Sequence, residues 1–214
     1  MELGEAVRQR RMVRRYSSEP VPREVLDRLL SVALRAPSAG FSQGVDLLVL
    51  EGATQTRPFF EASSDPEFLA EPGAMRGLLE APVIVVPIGD PGVYVARYAE
   101  ADKAQSSLAG LPAEAWPTPY WLVDASFVVM LLLLAATEEG LGALFFRLHR
   151  DPGGLLASFG APDRGQLIGA VALGYEAAPG SGGEGVGVGQ AGQGQRRERR
   201  ARRPMEDVVH RGRW

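Results

Sequence analysis

Five arginines fall within eight residues near the N-terminus, at Arg8, Arg10, Arg11, Arg14 and Arg15, and Tyr16 closes the run. Guanidinium forks at this density suit a phosphate or another polyanion, since each can hold two oxygens at once. The same run reads equally as a solvated basic turn, because Lys103 is the only lysine and arginine is the chain's general cation. A second basic run, 196–203, precedes Pro204 near the other terminus. That run would serve a nucleic acid, but aromatic residues do not interleave it and the net charge is −3. The expectation is therefore no nucleic-acid partner.

The remaining chemistry is defined by what is missing. With no cysteine, thiolate catalysis, disulfides and Cys-ligated metals are excluded. His149 and His210 are the only histidines and lie far apart in sequence, which argues against a metal site. No acid/base or nucleophile constellation is visible, so no residue is assigned a catalytic role. The glycine-rich stretch 182–194 lacks a preceding strand and a following apolar helix, so it is no dinucleotide fingerprint, and no Walker sequence is present. Such an absence is expected if a cofactor carries the chemistry and the protein supplies position and electrostatics.

Positioning those arginines requires a folded frame, and 214 residues with 45% hydrophobic and 23% charged content fit one soluble domain spanning 1–214. Glu2 to Arg10 reads as a short helix. A second helix opens at Pro22 and runs to Arg35, with Val25, Leu26, Leu29, Leu30 and Ala33 at helical spacing. Ala36-Pro37-Ser38 ends it, and Ser38 to Gly44 is a loop. Strands are expected over Val45–Leu50, Val83–Ile88, Leu144–Phe146 and Gln166–Leu173. Residues 52–73 read as loop with a short helix, and 93–118 as a partly helical surface excursion.

Asp124 is placed to cap a helix over Ala125–Glu139, apolar on nearly every face and closed by Gly140. Its apolar run, Phe127 to Ala136, is too short to span a bilayer, and no apolar leader is visible, so a cytoplasmic protein with no membrane contact is expected. Pro152 to Phe159 reads as a short helix. Residues 179–195 cannot bury enough apolar surface to offset their chain entropy and read as a flexible glycine-rich segment ahead of a C-terminal arm, 196–214. The order of elements is α+β, helices around a sheet.

Three pieces taken together carry a resemblance. Arg10-Arg11-Met12-Val13-Arg14-Arg15-Tyr16, Pro20-Val21-Pro22 and Ala36-Pro37-Ser38-Ala39-Gly40-Phe41-Ser42-Gln43 resemble, in order and spacing, the N-terminal signature of the nitroreductase family. The Gly140-Leu141-Gly142 stop, the strand ending in Gly174-Tyr175 and the basic-Pro-Met-Glu-Asp-Val-Val tail extend the likeness; 52–118 matches only loosely. The resemblance implies a mixed central sheet flanked by helices, a long apolar helix at a homodimer interface and an exchanged C-terminal arm. It further implies bound FMN and a ping-pong reduction of a nitroaromatic, quinone or other small conjugated substrate by NAD(P)H, or by a deazaflavin.

FMN needs cations for its phosphate, an apolar slot for its ring and positive charge near N1/O2. By position in the family pattern, Arg10, Arg11, Met12 and Arg14 fall on N-terminal flavin contacts, and Arg200 and Arg202 on the C-terminal phosphate pair. Arg76 falls where a cation stands near N1/O2, although a solvated helix arginine reads equally there. Pro37, Ser38 and Ala39 fall on the loop that meets the partner subunit's flavin, and Phe146, Arg147 and Leu148 on the segment facing N5. The chain departs from the pattern at Met12, where a hydroxyl is usual, at Phe41 for Asn, at Gly44-Val45 for Pro-Trp, and over Phe145–Leu148. Phe41 and Phe146 would narrow the pocket or stack on a substrate. These departures keep open an alternative role in flavin storage, breakdown or assembly.

Overall fold

Strand β2 (Val83–Gly89) is buried at every position, and the fold is laid around it. The computed structural model describes residues 1–70, 73–148, 152–178 and 201–213. They fall into two units, Met1–Pro179 and Gly180–Trp214. In the first, β2 pairs antiparallel with β1 (Val45–Glu51) on one side and with β5 (Ala170–Gly174) on the other. Antiparallel to β5 lies β3 (Gly142–Phe146), giving the order β1-β2-β5-β3. The two-residue β4 (Gln166–Leu167) pairs with the end of β2. Among the described residues parallel pairing is confined to one isolated bridge, Met12 to Ala143.

The single strand expected over Gln166–Leu173 is thus two. Gly169 takes φ +144°, a region that L side chains rarely adopt, and it breaks the run. Helices α1 (Leu3–Gln9) and α2 (Arg23–Ala33) lie within a residue or two of their expected bounds.

On one face of the sheet Leu26, Leu29 and Ala33 of α2 pack with Leu132, Leu133 and Ala136 of α6 (Tyr120–Glu138) and with Val83, Val85, Val171 and Leu173. Full burial of each such leucine contributes roughly 1.5–3 kcal/mol. Against the other face pack Phe59 and Phe60, together with Leu155 and Leu156 of α7 (Pro152–Ser158).

Two expectations need correction. Residues 52–73 hold a full helix, α3 (Ala53–Ser63), and a short one, α4 (Pro66–Ala70). The buried face of α3 is Thr56, Phe59, Phe60 and Ser63, spaced i, i+3, i+4, i+7, but two of the four are hydroxyl residues, which hid the period. Helix α6 starts five residues earlier than expected, at Tyr120 with Pro119 as its cap, so Asp124 lies inside the helix and caps nothing. At 19 residues α6 is long and apolar enough to cross a membrane by length and composition, yet half of its most apolar window is buried in the protein. The excursion after β2 holds α5 (Pro91–Tyr98), begun by the Asp90 carboxylate accepting the Gly92 N–H at 2.8 Å.

In the second unit the described residues are exposed, with a 3-10 turn over Met205–Asp207. The expected glycine-rich segment 179–195, the first half of the basic run and His149 lie outside the described residues.

Candidate functional site

The N-terminal arginines are carried by extended chain at one edge of the sheet. Met12 bridges Ala143, and the Val13 N–H donates to the Ala143 carbonyl at 2.9 Å. The chain then crosses to the continuation of β5. There Ser17 N–H donates to Tyr175 O at 2.9 Å and Ala177 N–H to Arg15 O at 3.0 Å. Val13 and Tyr16 point inward and are buried, which turns Arg11, Arg14 and Arg15 outward. The Tyr16 hydroxyl donates to the carbonyls of Val13 (2.8 Å) and Ala172 (3.2 Å), and burial holds its ionisation well above the ordinary tyrosine range.

These arginines are not equivalent. Arg11 pairs with Glu176. Arg14 reaches only the Met12 carbonyl, at 3.3 Å. Among the described residues Arg10, Arg15, Arg76 and Arg147 enter no ion pair. Free guanidinium groups beside one another repel, and an anion relieves that repulsion.

Arg76 belongs to a 3-10 turn, Gly73–Leu78, that crosses from the arginine segment to the end of β3. Gly77 is pressed on the backbone: a Cβ there would meet Arg14 O and Arg15 Cα, both at 2.8 Å. Met75, two residues earlier, lines a small cleft of about 130 Å³ with Phe146, Arg147 and Leu148. The turn that carries Arg76 therefore touches the Arg14–Arg15 backbone at one point and the cleft beside the 146–148 segment at another.

The cleft also takes in Ser63 and Ser64. Both are buried, and neither hydroxyl makes a hydrogen bond within the protein. Since no sealed side-chain polar atom lacks a partner among the described residues, these oxygens open on the cleft. Phe146 stacks on Phe60 at 6.3 Å between centroids and meets Phe59 edge-on.

The loop holding Pro37, Ser38, Ala39 and Phe41 lies elsewhere. It leads into β1, the opposite edge of the sheet from β3, at the end where Phe146 stands. Three inter-strand steps, about 14 Å, separate the two edges. One protomer does not bring this loop onto its own arginines.

The loop is tightly determined. Ser38 Oγ accepts the Gln43 N–H at 3.0 Å, and Asp124 Oδ2 accepts the Ala39 N–H at 2.9 Å and the Tyr94 hydroxyl at 2.6 Å. Burial first, and then the carboxylate, push Tyr94 far above the ordinary tyrosine range. Phe41 (φ +56°) and Gln43 (φ +54°) adopt a conformation costly for non-glycine residues, and Phe41 is 74% exposed.

The residues present fit FMN. Unpaired guanidinium groups suit the phosphate, buried unpaired hydroxyls suit a polar ring edge, and the Phe60–Phe146 wall suits the ring system. The cleft alone is too small for the whole cofactor. Arg202 is exposed on the second unit, and Arg200 lies outside the described residues.

Three residues escaped the sequence reading: Ser63, Ser64 and Asp124 in its clasping role. For Asp124 a signal existed, since it is the sole charge between Tyr120 and Glu138 in a helix otherwise apolar.

Residues 7–175 match the model of the nitroreductase family. A protein of Thermus thermophilus named NADH dehydrogenase is 31% identical over 190 residues, covering 82% of this chain and 87% of the relative. A crystal structure from Desulfovibrio desulfuricans, solved in complex with FMN under the nitroreductase name, superposes with a TM-score of 0.66 at 22% identity, covering 98% of this chain and 95% of the other. A nitroreductase family protein of Clostridium difficile 630 gives 0.65 at 22% identity, covering 99% of both chains.

Proposed function

The chain belongs to the nitroreductase family and is an oxidoreductase, and from that premise we propose that it is an FMN-dependent, cytoplasmic homodimer that reduces a small conjugated acceptor with NAD(P)H. The observation that carries this reading is that Arg10, Arg14 and Arg76 enter no ion pair, on an arginine segment whose Arg14–Arg15 backbone meets the Gly73–Leu78 turn, which also borders the cleft at Phe146–Leu148. FMN, when bound, supplies the two-electron chemistry, taking hydride from the nicotinamide and passing electrons to a nitroaromatic, quinone or related acceptor in a ping-pong cycle.

The protein's own residues bind and orient. Arg10 and Arg14 hold the phosphate, and the family pattern alone assigns Arg200 and Arg202 to phosphate binding as well. Arg76 sets positive charge near the flavin's N1/O2 edge, favouring negative charge there. The Ser63 and Ser64 hydroxyls offer hydrogen bonds at the cleft, and Phe146 walls the acceptor pocket. Pro37, Ser38 and Ala39 of one protomer face the flavin of the other, with Phe41 excluding water over it. Exposed Phe127 and Met130 on α6, 44% and 41% accessible, suit a two-fold contact that places the loop there.

Steady-state kinetics test the reading. FMN-loaded protein is given NADH or NADPH with benzoquinone or nitrobenzene as acceptor. Turnover with parallel double-reciprocal lines is expected. Bound FMN that neither donor reduces would replace the enzyme with a flavin carrier.

A further inference from the structure

A cavity of about 440 Å³ opens at the other end of the sheet, where β1 ends and β2 begins, and shares only Phe60 with the cleft at Phe146. Its size suits a small organic ligand. Pro20, Val21, Leu69, Leu79 and Phe60 give it apolar walls. Inside stands Thr56, which is 2% exposed and whose hydroxyl makes no hydrogen bond within the protein. Because no sealed side-chain polar atom lacks a partner among the described residues, this oxygen is open to the cavity that Thr56 lines.

The charges round the cavity are ordered. Helix α3 presents Ala53, Arg57 and Glu61 along it, one helical turn apart. The N-terminus of α3 has no side-chain cap, so its free N–H groups and dipole favour an anion beside Ala53. Arg57 adds positive charge one turn on, and Glu61 negative charge about 6 Å further. Glu80 lines the cavity from the turn before β2. Glu51 is already paired with Arg23 at 3.7 Å, whereas Arg57, Glu61 and Glu80 enter no ion pair. A cation alone would leave Arg57 and the helix end unanswered, and an anion alone would face Glu61 and Glu80.

We propose that this cavity binds a small zwitterion with an apolar body, of the class of the apolar α-amino acids. Its carboxylate lies toward Ala53 and Arg57, its ammonium toward Glu61 and Glu80, and its side chain against Phe60 and Leu79. The cavity is distinct from the cleft at Phe146, and its lining at Ser18 and Leu79 follows the arginine segment and the Arg76 turn in sequence.

Calorimetric titration of the full-length, FMN-saturated protein with L-phenylalanine tests the proposal, with phenethylamine and 3-phenylpropionate as probes each lacking one charge. The flavin absorbance of the same samples reports the cofactor separately. One equivalent of L-phenylalanine is expected to bind at least tenfold tighter than either control. Arg57→Gln should erase its advantage over phenethylamine, and Glu61→Gln with Glu80→Gln its advantage over 3-phenylpropionate. Thr56→Val should weaken it several-fold, with Thr56→Ser restoring most of the loss. No binding at millimolar L-phenylalanine, equal binding of all three probes, or affinity indifferent to the exposed-charge variants would overturn the proposal.

Discussion

The Asp124 carboxylate accepts the Ala39 backbone N–H at 2.9 Å across 85 residues of sequence, and the same oxygen accepts the Tyr94 hydroxyl at 2.6 Å. One buried charge thus fixes the strained loop 38–43 to the central helix and to α5. Asp124→Ala leaves two donors without a partner and should cost about 3 kcal/mol in urea unfolding. Asp124→Asn keeps an acceptor and should cost about half of that. Since the loop is proposed to meet the partner's flavin, both variants should also release FMN faster than the wild type. An Asp124→Ala variant as stable as the parent would separate Asp124 from this role.

The tyrosines make stability sensitive to alkali. Tyr16 and Tyr94 are held protonated in the fold, while in the unfolded chain they ionise near pH 10. Below that range both states keep their protons and stability is level. Above it the unfolded chain has released protons that the fold retains, so stability falls by about 1.4 kcal/mol per pH unit for each such tyrosine. Tyr94→Phe should start less stable but decline with a slope shallower by that amount. Chemical denaturation between pH 8 and 11 measures both slopes.

Much of this frame was legible beforehand. The apolar runs at Val83–Ile88 and Phe127–Ala136 place the central strand and helix, because uninterrupted apolar sequence can only be buried. Helix α3 was not legible, since Thr56 and Ser63 occupy core-facing positions and Pro58 interrupts the run. Nor was the use of Asp124, because a carboxylate ahead of an apolar run looks like a cap until the helix is seen to begin five residues sooner. The arginines could be named from spacing, yet only the fold separates Arg11, paired with Glu176, from Arg10 and Arg14.

That separation gives an order of effects on FMN. Arg10→Ala and Arg14→Ala should each weaken binding by roughly 1.5–3 kcal/mol, as for a hydrogen bond to a charged group, and Arg202→Ala by a similar amount. Arg11→Ala should cost less, because its charge is already answered. Fluorescence titration of FMN across the four variants ranks them. Equal, negligible losses would remove the phosphate from this edge.

Assembly can be probed without unfolding the protomer. Leu132 is fully buried inside the subunit, so Leu132→Arg would destroy the fold and report nothing about the interface. Phe127 and Met130 stand on the accessible face of the same helix. Phe127→Arg or Met130→Arg should give a folded monomer in sedimentation, with native far-ultraviolet dichroism and weakened FMN binding. A dimer unchanged by both would place the interface elsewhere.

The central claim is that these residues hold FMN for reduction by a nicotinamide. Its most direct test is to saturate the purified protein with FMN, remove the excess by gel filtration, and record the visible spectrum without oxygen before and after adding NAD(P)H. One FMN per protomer should remain, and its absorption band should bleach on addition of the donor. Protein that emerges colourless from the column would contradict the account at its base.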